Sequence, residues 1–262
     1  SHGDEPETIE SLGDGVRVVH LPAGGLEVPL EELYGYLPQF LEEMEVFQRE
    51  NSLIYQAVHS HYWLSGWVGR EMARTLNIPH LVTFHTLALI KMQSRAGEKE
   101  PLQRQQTERD IMASASKIVA FSPHERDAMA RLYGADLKRI ELVPCGVDLS
   151  RFRPLDQEES RKRLGLNGDK VFLYVGRLES LKGVDLLVHT AAHLEILPGV
   201  RVLVVGGDDG QTQEVERLRQ LAQDLDVAEV VDFVGRVDQE ELPVYYSAAD
   251  VFVMPSYYES FG

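Results

Sequence analysis

The chain has 262 residues, enough for two α/β domains, with 44% hydrophobic and 26% charged residues, the balance of a soluble globular protein. Its 42 acidic and 26 basic residues leave a formal charge of -16, which argues against broad nucleic-acid binding; a solvated acidic surface accounts for the excess, and a local basic pocket for a phosphorylated ligand remains compatible with it. A single cysteine, Cys145, excludes an intrachain disulfide, and no apolar run approaches the length of a membrane helix, so a reducing, cytoplasmic setting is expected.

Strand-like and helix-like segments alternate along the chain. Strands are predicted at Val16–Leu21, Leu53–His59, His80–Thr86, Lys117–Phe121 and Ile140–Val143, and then at Val171–Val175, Val200–Val205, Val230–Val234 and Asp250–Met254. Between them lie stretches with apolar residues at helical spacing. Leu33, Leu37 and Leu41 form one stripe, Leu186, Leu187, Ala191 and Leu194 a second, and Val215, Leu218, Leu221, Ala222 and Leu225 a third. Such alternation predicts parallel sheets covered on both faces. The polar, proline-ended stretch Val147–Pro154 marks a domain boundary, giving Rossmann-like domains over 1–149 and 150–262. Ser1–Gly15 is too short and polar for the first strand and glycine-rich turn of such a unit, and the second half shows four strands where about six are usual. Both domains therefore read as incomplete, the chain as a piece of a larger protein, and the piece alone as inactive.

Chemistry concentrates at strand ends. Tyr174-Val175-Gly176-Arg177 delivers an arginine at the carboxyl end of a strand, and Lys182 follows at the expected start of the next helix. Two cations beside a helix N-terminus suit a pyrophosphate. The alternative is surface pairing of Arg177 and Lys182 with Glu179 and Asp185. Glu259 follows the last apolar run at the same sheet edge, where open α/β sheets bind ligands. A carboxylate for sugar hydroxyls beside cations for phosphates suits a nucleotide sugar. Other features read as structural. His59 and His61 share a strand face, but no carboxylate lies at metal-ligand spacing. Trp63 and Trp67 are expected in the core, and Cys145 as a small apolar filler. Gly206–Gly210 lacks the spacing of a dinucleotide turn.

Several stretches together resemble the retaining glycosyltransferases of the GT-B fold. In the second half these are Leu173–Gly183, Leu203–Gly207 and Ala248–Gly262; in the first, His59–Gly66, Thr83–Thr86 and Val143–Asp148. The subset is similar to D-inositol-3-phosphate glycosyltransferases and bacterial sucrose-phosphate synthases. The resemblance implies an α/β GT-B protein of two Rossmann-like domains whose parallel sheets face a cleft. It implies hexose transfer with retention from a nucleotide-sugar co-substrate, UDP-linked, to a small hydroxyl acceptor such as a sugar or sugar phosphate. Neither a metal nor a further cofactor is implied, and the oligomeric state stays open, a homodimer included.

Carried over by position, the catalytic set is His85, Arg177, Lys182 and Glu259. Arg177 and Lys182, with Gly176 beside them, would hold the donor diphosphate, Glu259 the donor-sugar hydroxyls, and His85 the donor sugar from the other domain. Tyr62, Thr86 and Arg104 would meet the acceptor, Arg104 its phosphate. A second glutamate of the family motif would lie beyond Gly262. One departure stands out: Leu30 occupies the place of a phosphate-binding lysine, so either Arg104 serves alone or the acceptor carries no phosphate. The alternatives are a non-catalytic or inactive nucleotide-sugar-binding relative and a nucleotide-sugar epimerase of the same fold.

Overall fold

The computed structural model describes residues 9–25, 28–94, 99–166, 168, 170–194, 198–207 and 213–259. Two compact units divide them, one running to Cys145 and one from Gly146 to Glu259. The end of the last motif, Ser260–Gly262, and the turn residues 208–210 lie outside the described residues.

The first unit begins with a hairpin, not with a strand of the main sheet. β1 (Ile9–Gly13) pairs antiparallel with β2 (Val16–Val19), correcting the expectation that Val16–Leu21 joins the parallel sheet. Asp14-Gly15 makes the two-residue turn, with Gly15 at φ +73°, and an Asp-Gly pair is a strong hairpin signal. The main sheet contains β3 (Val58–His61), β4 (His80–Thr83), β5 (Lys117–Ala120) and β6 (Ile140–Leu142), all parallel and in that order. β3 starts five residues later than its sequence predicts, because its ladder opens where Val58 meets His80.

Helices α1 (Leu37–Glu50), α2 (Tyr62–Leu76), α3 (Ala88–Ser94), α4 (Leu102–Ser114) and α5 (Pro123–Ala128) complete this unit. Leu33 lies in a single tight turn ahead of α1 and not in the helix. Trp63 is buried and stacks on Tyr34 at 5.5 Å, while Trp67 is half-buried. Cys145 is exposed, contrary to its reading as a small apolar filler: it follows the last ladder residues of β6, in a run of exposed positions.

The second unit is a parallel sheet in the order β10-β7-β8-β9, formed by β7 (Lys170–Val175), β8 (Val200–Val205), β9 (Val231–Gly235) and β10 (Val251–Phe252). Alternation along these strands builds two cores. Tyr174, Val202 and Val204 face α7 (Val184–Leu194) and α8 (Gln213–Asp224), meeting Leu187, Val188, Val215 and Leu218. Val171, Leu173, Leu203 and Val205 face the other way, toward the layer of α6 (Gln157–Arg163) and α9 (Leu242–Ala248), with Leu166 and Ala248. Fully burying each such side chain stabilises by about 1.5–3 kcal/mol before chain entropy is counted. Of the predicted α7 stripe, Leu187 and Ala191 are buried, Leu194 packs at the margin, and Leu186 is exposed; Val188 takes the inward place. Among the described residues, no helix is long and apolar enough to cross a membrane.

Candidate active site

In the second unit the carboxyl ends of β7 and β8 are built to touch. Tyr174, buried at the end of β7, donates its hydroxyl to the Arg177 carbonyl at 2.8 Å and so folds the Gly176-Arg177 turn back over the strand. Gly206, just past β8, has φ +126°, and a Cβ there would stand 1.9 Å from the Gly176 carbonyl oxygen. Only glycine permits that approach. The two turns open onto a cavity of about 540 Å³, lined by Gly176, Arg177, Glu179, Gly206, Gly207 and Arg236 among others. Arg236 was not singled out from the sequence. The signal was there: Val234-Gly235-Arg236 repeats the Val175-Gly176-Arg177 pattern at a second strand end.

Lys182 and Glu259 come together. Lys182 Nζ donates to Glu259 Oε1 at 2.7 Å, and Ser256 Oγ donates to the same oxygen at 2.7 Å. Lys182 sits in a separate turn, Ser180–Lys182, and α7 starts only at Val184, so the lysine precedes the helix instead of opening it. Gly183 breaks the two apart with φ +64°, and a Cβ there would stand 2.3 Å from the Pro255 carbonyl. The Tyr257 amide donates to Leu181 O at 3.0 Å. Residues 255–259 are thereby stitched to the Leu181–Gly183 turn. Lys182 does not pair with Asp185, as the surface alternative required. Arg177 does pair with Glu179, at 2.7 Å, and is 73% exposed.

The first unit arranges its residues differently. Tyr62 opens α2 with φ +77°, and His85 follows β4 with φ +61°. Both are non-glycine residues in the left-handed region, costing on the order of 1–3 kcal/mol each, a strain that persists only where surroundings enforce it. The enforcement is visible. Arg104, in the first turn of α4 and 4% exposed, donates from Nη2 to Thr86 O at 3.1 Å and to Thr86 Oγ1 at 3.0 Å. Its Nε donates to Glu108 at 2.8 Å, its Nη1 to Glu100 at 3.0 Å, and its guanidinium lies 5.1 Å from the Tyr62 ring centre.

Glu108, fully buried, also accepts from the Tyr133 hydroxyl and from the Ala88 amide at the start of α3, and the Tyr133 oxygen accepts from Leu89 N. Burial pushes the Glu108 carboxyl up against the pull of Arg104. Burial is the largest influence on Arg104 and opposes its charge, but Glu108, Tyr62 and Glu100 together outweigh it and hold the guanidinium above its usual value. The structure thus brings Tyr62, Thr86 and Arg104 together, with much of the arginine's fork already committed inside the protein. Leu30 is exposed.

His85 joins two further histidines. His61 Nδ1 lies 2.8 Å from His85 Nε2, and His59 Nε2 lies 2.9 Å from Thr83 Oγ1, with the His59 and His61 ring centres 4.3 Å apart. Burial and then the neighbouring His61 hold both His59 and His85 below the usual imidazole value. Among the described residues, no three His, Cys, Asp or Glu side chains converge as a metal site requires.

A profile of Glycosyltransferase Family 4 matches residues 2–151, and one of Glycosyl transferases group 1 matches residues 156–262. The chain belongs to this glycosyltransferase family. Its two α/β units with parallel sheets are those of the GT-B fold. A D-inositol 3-phosphate glycosyltransferase of Acidothermus cellulolyticus is 42% identical over 97% of this chain and 59% of its own length. A solved sucrose-phosphate synthase from Thermosynechococcus elongatus superimposes with a TM-score of 0.88 at 35% identity, covering 99% of this chain and 64% of that one. The Anabaena protein HepE, solved with UDP and glucose, shares the fold at a TM-score of 0.70 and 19% identity, over 90% of this chain and 60% of its own. This glycosyltransferase chain therefore spans about three-fifths of the length of the relatives it matches.

Proposed function

We propose that the protein transfers a hexose from a nucleotide-sugar donor, UDP-linked, to a hydroxyl acceptor with retention at the anomeric carbon. The observation that carries this reading is the carboxyl edge of the second sheet. There a glycine-lined cavity of about 540 Å³ has Arg177 at its rim, beside the turn in which Lys182 is tied to Glu259. The cavity has the volume of a small-molecule site, its glycines admit close approach of a diphosphate, and the carboxylate suits sugar hydroxyls. Family membership and the relatives' names support the reaction class, and the HepE complex with UDP and glucose supports the donor class.

In this mechanism no protein nucleophile is required. Arg177 and Lys182 stabilise the charge that grows on the departing diphosphate, which is electrostatic catalysis by preplaced cations. Lys182 must exchange part of its bond to Glu259 for the phosphate, leaving the carboxylate to hold hydroxyls. His85 orients the sugar, and Tyr62, Thr86 and Arg104 shape the acceptor side. No metal or further cofactor takes part, and the protein works in the cytoplasm. Labelled transfer from UDP-glucose, UDP-N-acetylglucosamine and GDP-mannose by the complete gene product tests the reading. Transfer with retained anomeric configuration is expected from a UDP-sugar. Nucleotide binding without transfer to any acceptor would instead make the protein a non-catalytic nucleotide-sugar binder.

A further inference from the structure

We propose that His61 is a positioning residue whose hydrogen bond fixes the tautomer and ring orientation of His85; the proposal rests on the reading of His85 as a sugar-facing residue. Four observations carry it. First, the contact is a true hydrogen bond between ring edges: the nitrogens are 2.8 Å apart while the ring centres are 5.1 Å apart and the planes differ by 27°. Rings stacked face to face would bring the centres closer than that. Second, a bond of this kind between two imidazoles needs one proton between two nitrogens, so the tautomer of one ring dictates the other. Burial and the neighbouring rings favour neutral imidazole at His85, so the shared proton is not swamped by a second charge.

Third, His61 is itself braced. The His59 ring packs against it, and His59 is in turn held by Thr83 Oγ1 on the neighbouring strand. His61 is the last residue of β3 and pairs in register with Thr83, the last residue of β4, two residues before His85. Fourth, the backbone of His85 is left-handed at φ +61°. A residue in that conformation gains little from helix or strand partners, so side-chain bonds must set its direction. Thr86, held by Arg104, fixes the following residue, and His61 fixes the ring.

The test uses the complete protein with ¹⁵N-labelled histidine and compares wild type with His61→Leu and His61→Asn. Asparagine places an amide group where Nδ1 of histidine stands, so it restores the bond, whereas leucine cannot. Nitrogen chemical shifts are expected to show His85 in a single tautomer in wild type and a mixture in His61→Leu; the asparagine amide, which can donate or accept, tests the ring orientation through activity. With UDP-sugar donor, kcat is expected to fall about 10–100-fold in His61→Leu, with the donor KM within about threefold and most of the loss recovered in His61→Asn. An unchanged tautomer in His61→Leu, or an asparagine variant as impaired as the leucine one, overturns the proposal. If wild type transfers no sugar at all, the functional reading fails, while the tautomer comparison still decides whether His61 governs His85.

Discussion

The carboxyl edges of the two sheets hold their functional side chains in opposite ways. At the edge of β3 and β4 the residues are locked from within. Arg104 is 4% exposed and braced by two carboxylates and Thr86, while Tyr62 and His85 hold left-handed backbone conformations. At the edge of β7 and β8 the backbone is fixed by Gly176, Gly206 and Gly183, Lys182 is held by Glu259, and Arg177 alone of the two cations stays at the surface. The first edge is organised from within throughout; at the second, Arg177 is left open to solvent. Stability and function should therefore be coupled at the first edge and separable at the second.

The largest expected effect comes from breaking the first edge at its buried anion. Glu108→Leu leaves Arg104 buried without its main partner, removes the acceptor of the Tyr133 hydroxyl, and uncaps Ala88 at the start of α3. Losing one partner of a buried ion pair costs about 3–5 kcal/mol. Urea unfolding should show a loss of that size, and the His85–Thr86 turn should lose its strained conformation with it. A loss under about 1 kcal/mol would mean that the network positions nothing.

Much of this contrast was beyond the reach of the sequence. Strand periodicity is local, so Val200–Val205 was located to the residue and the two-faced packing of β7 and β8 followed from alternation. That Arg177, Lys182 and Glu259 share one sheet edge was legible because each follows a strand of the same parallel sheet, but the direct bond between Lys182 and Glu259 was not. The commitments of Arg104 were not legible. Its partners lie four residues away on either side and eighteen residues back, and nothing in residue type distinguishes a guanidinium aimed at a ligand from one buried under a tyrosine. The His61–His85 bond was missed for a related reason: period-two alternation paired His59 with His61 on one face but is silent on what the neighbouring strand sets beside them. The hairpin at Ile9–Val19 was misread although Asp14-Gly15 announced it, because the polar composition of the first residues outweighed the turn.

The next effect in size concerns acid, and again it singles out the first unit. His80 is 3% exposed and bonded to Ser60; burial, then His59 and Arg70, bring its pKa down to about 4. A depressed imidazole contributes stability that is complete above the unfolded value of 6.5 and is lost as pH falls toward about 4. The shift corresponds to on the order of 3 kcal/mol. Glu125 runs the other way. It is 1% exposed, accepts from the Phe121 amide at 2.7 Å, and burial pushes its carboxyl up to about 7. Its contribution is complete below the unfolded value of 4.5 and is lost as pH rises toward 7.

Between these limits the two groups oppose each other, so the wild-type unit should show little slope from either. Glu125→Gln keeps an oxygen to accept from Phe121 and removes the opposing titration. Denaturant unfolding of this variant should lose on the order of 3 kcal/mol between pH 6.5 and pH 4, while the wild type changes by much less. Parallel curves for the two proteins would show that one of these side chains is not buried as described.

The smallest effect on stability belongs to the second edge and completes the contrast. Arg177 is 73% exposed, and its partner Glu179 is 47% exposed. An ion pair so open to water contributes about 0–1 kcal/mol, because solvent screens the charges and ordering two long side chains costs entropy. The Tyr174 hydroxyl bonds the Arg177 carbonyl, not its side chain, so truncation leaves the turn folded. Arg177→Ala should therefore unfold within about 1 kcal/mol of wild type. On the proposed reading, the same change also removes a charge-assisted bond to the donor diphosphate, each worth about 1.5–3 kcal/mol, so UDP affinity measured by calorimetry should drop roughly 10–100-fold. A variant that keeps its UDP affinity would place the diphosphate away from the β7 turn. One that loses stability in step with affinity would show that the second edge, too, is organised from within, and the distinction between the two edges would fall.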